Sequence, residues 1–128
     1  MAEGNAPAQD GTAGIRQDPI TDIARNGSSV IVSLAGELDL YNAHALRETL
    51  LKCCDEAPER LVVDLSEVKF IDSTALGVLI EARTRMPNRR GFLLAAPGLE
   101  TRRALEISGL DRHFAVHPSL DEALSAAL

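Results

Sequence analysis

Past its first eighteen residues the chain alternates two textures, and few architectures accommodate that alternation. Short runs rich in apolar and β-branched residues give way to longer stretches whose apolar residues recur at helical spacing. The runs 20–25 and 30–35 flank Asn26-Gly27, a type I′ hairpin signal, so the domain opens on two antiparallel strands. Ala43, Leu46, Leu50, Cys53, Cys54 and Ala57 then form one face of a helix, with Arg47, Glu48 and Lys52 between them and Pro58 at its end. Residues 60–65, Arg-Leu-Val-Val-Asp-Leu, read as a strand covered on at least one face. A connection over 66–72 leads to a helix over 73–86. Its stripe is Ala75, Leu79, Ala82 and Met86, widened by Leu76, Val78 and Ile80, and Pro87 closes it. Residues 91–96 are another apolar strand, and Pro97-Gly98 opens a helix through Ser108 with Gly109 as its left-handed cap. Phe114 and Val116 alternate with His113, Ala115 and His117 in a last short strand. Ser119 and Glu122 make a capping-box pattern for a final helix reaching about Leu128.

The order β-β-α-β-α-β-α-β-α implies an α/β fold. Right-handed crossovers build a mixed, mostly parallel sheet of about five strands with about four helices, its first strand antiparallel at one edge. Function in such sheets gathers beyond the carboxyl ends of the strands. Segments 36–42, 66–74 and 96–99 are expected to meet there.

A chain of 128 residues supplies one domain, placed at 19–128. Residues 1–18, nearly free of bulky apolar side chains, are expected to be a flexible tail. Thirteen Lys and Arg against nineteen Asp and Glu give a formal charge of -6, which repels nucleic acid and anionic membranes. Aromatic content of 3% leaves few platforms for stacking bases. No apolar run suits a membrane span and no signal-peptide pattern opens the chain, so it is expected in the cytoplasm. Adjacent Cys53 and Cys54 are read as free thiols rather than a disulfide or metal site.

The most informative segment is Val68-Lys69-Phe70-Ile71-Asp72-Ser73-Thr74-Ala75-Leu76-Gly77. Ser73 stands at a helix start, where open amides and the positive dipole end favour an anion; a phosphate there would change the surface by about -1.5 to -2 charges without unfolding the helix. The plainer reading is that Asp72 or Ser73 is an N-cap. Gly77 costs about 1 kcal/mol inside a helix, which suggests that a strand or a partner passes close to it. In Gly36-Glu37-Leu38-Asp39, Asp39 either caps the next helix or faces the same edge as Ser73. His113 and His117 flank a strand too far apart to share an ion, so no metal is expected. Ser73 lacks the glycines of a nucleophile elbow, and no P-loop or dinucleotide loop appears, so no enzyme and no bound cofactor are expected. A degenerate receiver domain, with Asp39, Asp64 and Asp72 near strand ends, is a rival weakened by the absence of a lysine after the last strand.

Taken together, Gly36-Glu37-Leu38-Asp39, Asp64-Leu65-Ser66 and Phe70-Ile71-Asp72-Ser73-Thr74-Ala75-Leu76-Gly77 resemble the anti-sigma factor antagonists, bacterial STAS-domain proteins also called anti-anti-sigma factors. The resemblance spans about 20–127 and implies the STAS fold. It implies that Ser73 is phosphorylated by an anti-sigma factor that is itself a serine kinase using ATP and magnesium. The unphosphorylated form binds that kinase and frees the sigma factor; the phosphorylated form lets go until a PP2C-type phosphatase resets it. The docking face so expected holds Asp39, Asp72, Ser73, Thr74, Leu76 and Gly77, on a monomer or weak dimer. STAS domains without a phosphorylation cycle, serving as scaffolds or adaptors of larger assemblies, share the fold and form the second alternative.

Overall fold

The structure, a computed structural model, describes residues 18–128; the expected tail, apart from Asp18, lies outside the described residues. Five strands and four helices follow in the order β1 (Ile20–Asn26), β2 (Ser29–Leu38), α1 (Ala43–Asp55), β3 (Arg60–Ile71), α2 (Ser73–Arg85), β4 (Phe92–Ala95), α3 (Leu99–Ser108), β5 (Ala115–His117) and α4 (Leu120–Ser125). Single 3₁₀ turns at Arg89–Gly91 and Leu110–Arg112 precede β4 and β5. The strands lie side by side in sequence order, β1 antiparallel to β2 and the rest parallel.

Successive crossovers of one hand put their helices on one face of a sheet. Val30, Val32, Leu34, Leu61, Val63, Leu65 and Leu94 turn toward that face and pack on apolar residues of α1, α2 and α3. The alternate residues Val62, Leu93 and Ala95 face the other side, where α4 covers them with Ala123, Leu120 and Leu124. The period-2 alternation of strand side chains thus divides β3 and β4 between two cores, which is why both read as continuous apolar runs. Exposed ion pairs, Arg47 with Glu81 and Arg85 with Asp55, brace α1 against α2 at small energetic gain.

The hairpin turn differs from the expected one. Its central residues are Gly27 and Ser28, because Asn26 pairs with Ser29, and only Gly27 has positive φ; those signs belong to a type II′ turn, which wants glycine first. Ala57 leaves α1 with φ of 54° and is exposed, and α4 stops at Ser125. Ile80, expected in the buried stripe of α2, points outward. The largest difference lies at the carboxyl edge. Segment 66–72, expected as a connection, continues β3 as far as Ile71, and Gly36, Glu37 and Leu38 belong to β2. The two strands stay paired through two register shifts: β2 advances from Ser33 to Ala35 while β3 advances from Asp64 to Glu67, and Gly36 to Glu37 matches Val68 to Phe70. Each shift is a bulge in β3, an extra residue that bends and twists the strand.

Candidate functional site

Asp72 stands between the end of β3 and the first residue of α2. Its backbone is extended, and its Oδ1 accepts a hydrogen bond from the Ala75 N–H at 3.0 Å, so it is the N-cap. Its other oxygen, Oδ2, accepts from the Leu40 N–H at 3.1 Å, and its own N–H donates to the Leu38 carbonyl at 3.0 Å. One side chain therefore ties the start of α2 to the loop between β2 and α1. The plainer reading of Asp72 as a cap holds, and the second bond is what the cap reading alone misses.

The loop is held from its own side by Asn42. Its Nδ2 donates to the Glu37 carbonyl at 2.7 Å, and its Oδ1 accepts from the Asp39 N–H at 2.9 Å. Asp39 accepts from the Tyr41 N–H at 3.0 Å and does not cap α1, whose N-cap is Asn42. Asn42 is buried and was not among the expected residues; a polar residue between a turn and a helix start was the available signal.

Ser73 is the first residue of α2 and exposed, as is Thr74 beside it. The first amides of a helix have no partner within it, and with the Ala75 N–H taken by Asp72 an oxyanion on Ser73 would meet those that are left and the positive end of the dipole. Ser73 and Gly77, one turn apart, share the outward stripe of α2, continued by exposed Ile80. Apart from its own stretch of helix, a Cβ built on Gly77 meets nothing within 4 Å among the described residues. The close approach expected at this glycine is not made by any strand among the described residues. Leu76 is 6% exposed and packs into the core beneath the stripe, so it supports that face from below and does not present a surface.

What residue patterning missed is a set of exposed apolar side chains at the sheet edge where Ser73 stands. Leu40, Tyr41 and Phe70 are 65%, 77% and 50% exposed, and Leu99, the first residue of α3, is exposed as well. Large apolar side chains gathered on one edge mark an interaction surface. Phe70 carried a signal in its place two residues before Asp72.

Among the described residues no group of three or more His, Cys, Asp and Glu could hold a metal ion, and no helix is long and apolar enough to cross a membrane. Cys53 and Cys54 are free and buried in the core, with the Cys54 thiol donating to the Ala82 carbonyl at 3.3 Å. Burial pushes both thiols up, that of Cys54 to about 11.

Comparison with known proteins places this geometry. Residues 21–123 match the STAS domain family. The anti-sigma-F factor antagonist RsfB of Mycobacterium tuberculosis is 34% identical over 109 residues, covering 84% of this chain and 89% of that protein. The anti-sigma-B factor antagonist of Bacillus subtilis is 34% identical over 91 residues, covering 70% and 82%. The crystal structure of an anti-sigma factor antagonist from Mycobacterium paratuberculosis superposes with a TM-score of 0.78 at 34% identity, covering 86% of this chain and 95% of that one.

Proposed function

Because this chain belongs to the STAS domain family of anti-sigma factor antagonists, we propose that it is a partner switch whose toggle is Ser73. In the unphosphorylated state it binds an anti-sigma factor that is a serine kinase, and so releases the sigma factor. Phosphate on Ser73 ends that binding, and a PP2C-type phosphatase restores it. The chain acts by occupying a partner, with Ser73 as a kinase's substrate and no catalytic group of its own.

One observation carries this reading. Ser73 is exposed at the open end of α2, on an edge where Asp72 also anchors the loop that displays Leu40 and Tyr41. A partner covering that edge covers the hydroxyl as well. A phosphate there brings about -1.5 to -2 charges into a desolvated contact while the helix itself tolerates it. Modification switches of this size shift affinity by about 5- to 150-fold.

The test is to incubate the purified chain with its cognate anti-sigma kinase, ATP and magnesium, and to follow intact mass. One phosphate is expected, absent in Ser73→Ala. Ser73→Ala should hold the kinase permanently and Ser73→Asp should bind it poorly. Phosphate on another residue would overturn the assignment; a chain that binds but is never phosphorylated would be a scaffold.

A further inference from the structure

The opposite end of α2 carries a second surface. At the amino ends of β4 and β5, two concavities open beside α2 and the two 3₁₀ turns. The larger, about 390 Å³, is walled by Arg83, Arg89, Arg90 and Arg112. The smaller, about 120 Å³, is an apolar notch formed by Ile80, Leu110 and Phe114. Arg83, His113 and Phe114 border both, so the two make one groove.

Arg102, Lys52 and Lys69 lack an ion pair among the described residues but line neither concavity, whereas here unpaired cations gather. Arg25, Arg47 and Arg85 each grip a carboxylate with two hydrogen bonds, Arg103 reaches Glu100, and Arg60 is spent on the carbonyls of Ala123 and Ala126. Arg83, Arg89, Arg90 and Arg112 have no ion pair among the described residues, and no Asp or Glu side chain lines either concavity. Four guanidinium groups without an ion pair thus line one groove, with the terminal carboxylate of Leu128 the one acidic group on its wall among the described residues, in a chain of formal charge -6. Each offers a planar fork of donors matched to a carboxylate.

We infer that this groove docks an acidic segment of a partner protein, its carboxylates over the arginines and one large apolar side chain in the notch. Pockets for small ligands are mostly apolar and enclose most of the ligand. This groove is open and its charges face water, so a free anion would gain only a screened contact. A chain segment adds the burial of an apolar anchor and ties several carboxylates together, so that each contact after the first costs less. Ser73 and Arg83 are ten positions apart on α2, about 15 Å at the helical rise. The arginines therefore lie beyond the Ser73 edge, and the groove meets the outward stripe of α2 only at Ile80, which the notch shares.

The full chain, carrying Ser73→Ala so that the other surface cannot vary, is used to select from a random-peptide phage library at low salt. Arg89→Glu/Arg112→Glu serves as the counter-selection; both residues are exposed, and an unchanged melting curve confirms the fold. Enriched peptides are expected to carry Asp or Glu on both sides of one large apolar residue. A synthetic copy should perturb backbone amides in 80–83, 89–90 and 110–114 of this chain. Its Kd should weaken by about tenfold or more on the double variant, and again when its apolar residue becomes alanine. Peptides without acidic residues, or binding indifferent to the double variant, would overturn the inference. Millimolar pyrophosphate that perturbs the same amides and displaces the peptide completely would also overturn it, assigning the arginines to a small polyanion.

Discussion

Replacing Gly77 by alanine should make the domain more stable and its partner binding weaker, two effects that a purely structural or a purely interfacial role would not combine. Gly77 sits inside α2, its backbone lies outside the left-handed region, and, apart from its own stretch of helix, a Cβ built on it meets no heavy atom of the described residues within 4 Å. The substitution adds no strain and no clash, so the helix gains the usual alanine advantage of about 1 kcal/mol. For a domain of this size that raises Tm by about 4–6 °C. The same methyl stands one turn from Ser73 on the outward stripe. Inserted into a close-packed contact it costs about 1–3 kcal/mol, or roughly 5- to 150-fold in Kd. Urea and thermal unfolding measure the first effect; calorimetric titration with the cognate anti-sigma factor measures the second. A lower Tm would show that α2 is crowded at Gly77. Unchanged affinity would remove this stripe from the docking face, and the reason offered for a glycine at this position would fail.

Three further outcomes follow from the same geometry. Asp72→Asn leaves one oxygen for two backbone donors, so either Ala75 or Leu40 faces an amide N–H; a loss of about 1 kcal/mol is expected, with faster amide exchange at Leu40 if the cap wins. Thr101 is 1% exposed and its Oγ1 has no hydrogen-bond partner among the described residues. Thr101→Val should therefore hold or raise the urea midpoint, by about 1 kcal/mol at most, and a clear loss would show that the hydroxyl is satisfied. Burial, chiefly, with the neighbouring Cys53 and Asp55 charges adding to it, lifts the Cys54 thiol from 9.0 to about 11. The folded state keeps a proton that the unfolded state sheds, so this contribution is intact below 9 and is lost as pH rises toward 11, at up to about 1.4 kcal/mol per pH unit. Urea midpoints across that window should fall less steeply in Cys54→Ala; parallel curves would refute the assignment.

Much of this was legible in residue order because local rules and tertiary packing agreed. Gly109 takes the left-handed φ of 77° expected of its cap, and the Ser119 hydroxyl accepts from the Glu122 N–H as the capping box requires. Asp72 and Ser73 fall at the helix start that the Ile-Asp-Ser-Thr spacing marks. What escaped depends on contacts between segments distant in sequence. The Leu40 amide meets Asp72 across 32 positions, and nothing local to Leu40 announces it. Ile80 has the composition of a core residue, and only the placement of neighbouring elements leaves it outside.

The missed half of β3 shows why pattern alone misled, and it bears on the site. Up to Leu65 the strand reads as apolar strands do, but from there its buried residues are Leu65, Val68 and Ile71, three apart. A period of three fits neither a strand nor a helix, so the segment looks like a loop. It is a strand with two bulges: β3 spends twelve residues where its partner β2 spends ten, and each extra residue restores the inward face one position late. The bulges also decide where function stands. They keep β3 paired with β2 up to Leu38 and Ile71, which brings Asp72 within hydrogen-bond reach of the Leu40 amide. Because shifting a strand by one residue turns every later side chain to the other face, removing a single bulged residue would turn Ile71 out of the core and carry Asp72 away from its loop. The position of Ser73 on the edge that bears Leu40 and Tyr41 is thus set upstream, by two extra residues in a strand, and not by the helix on which Ser73 sits.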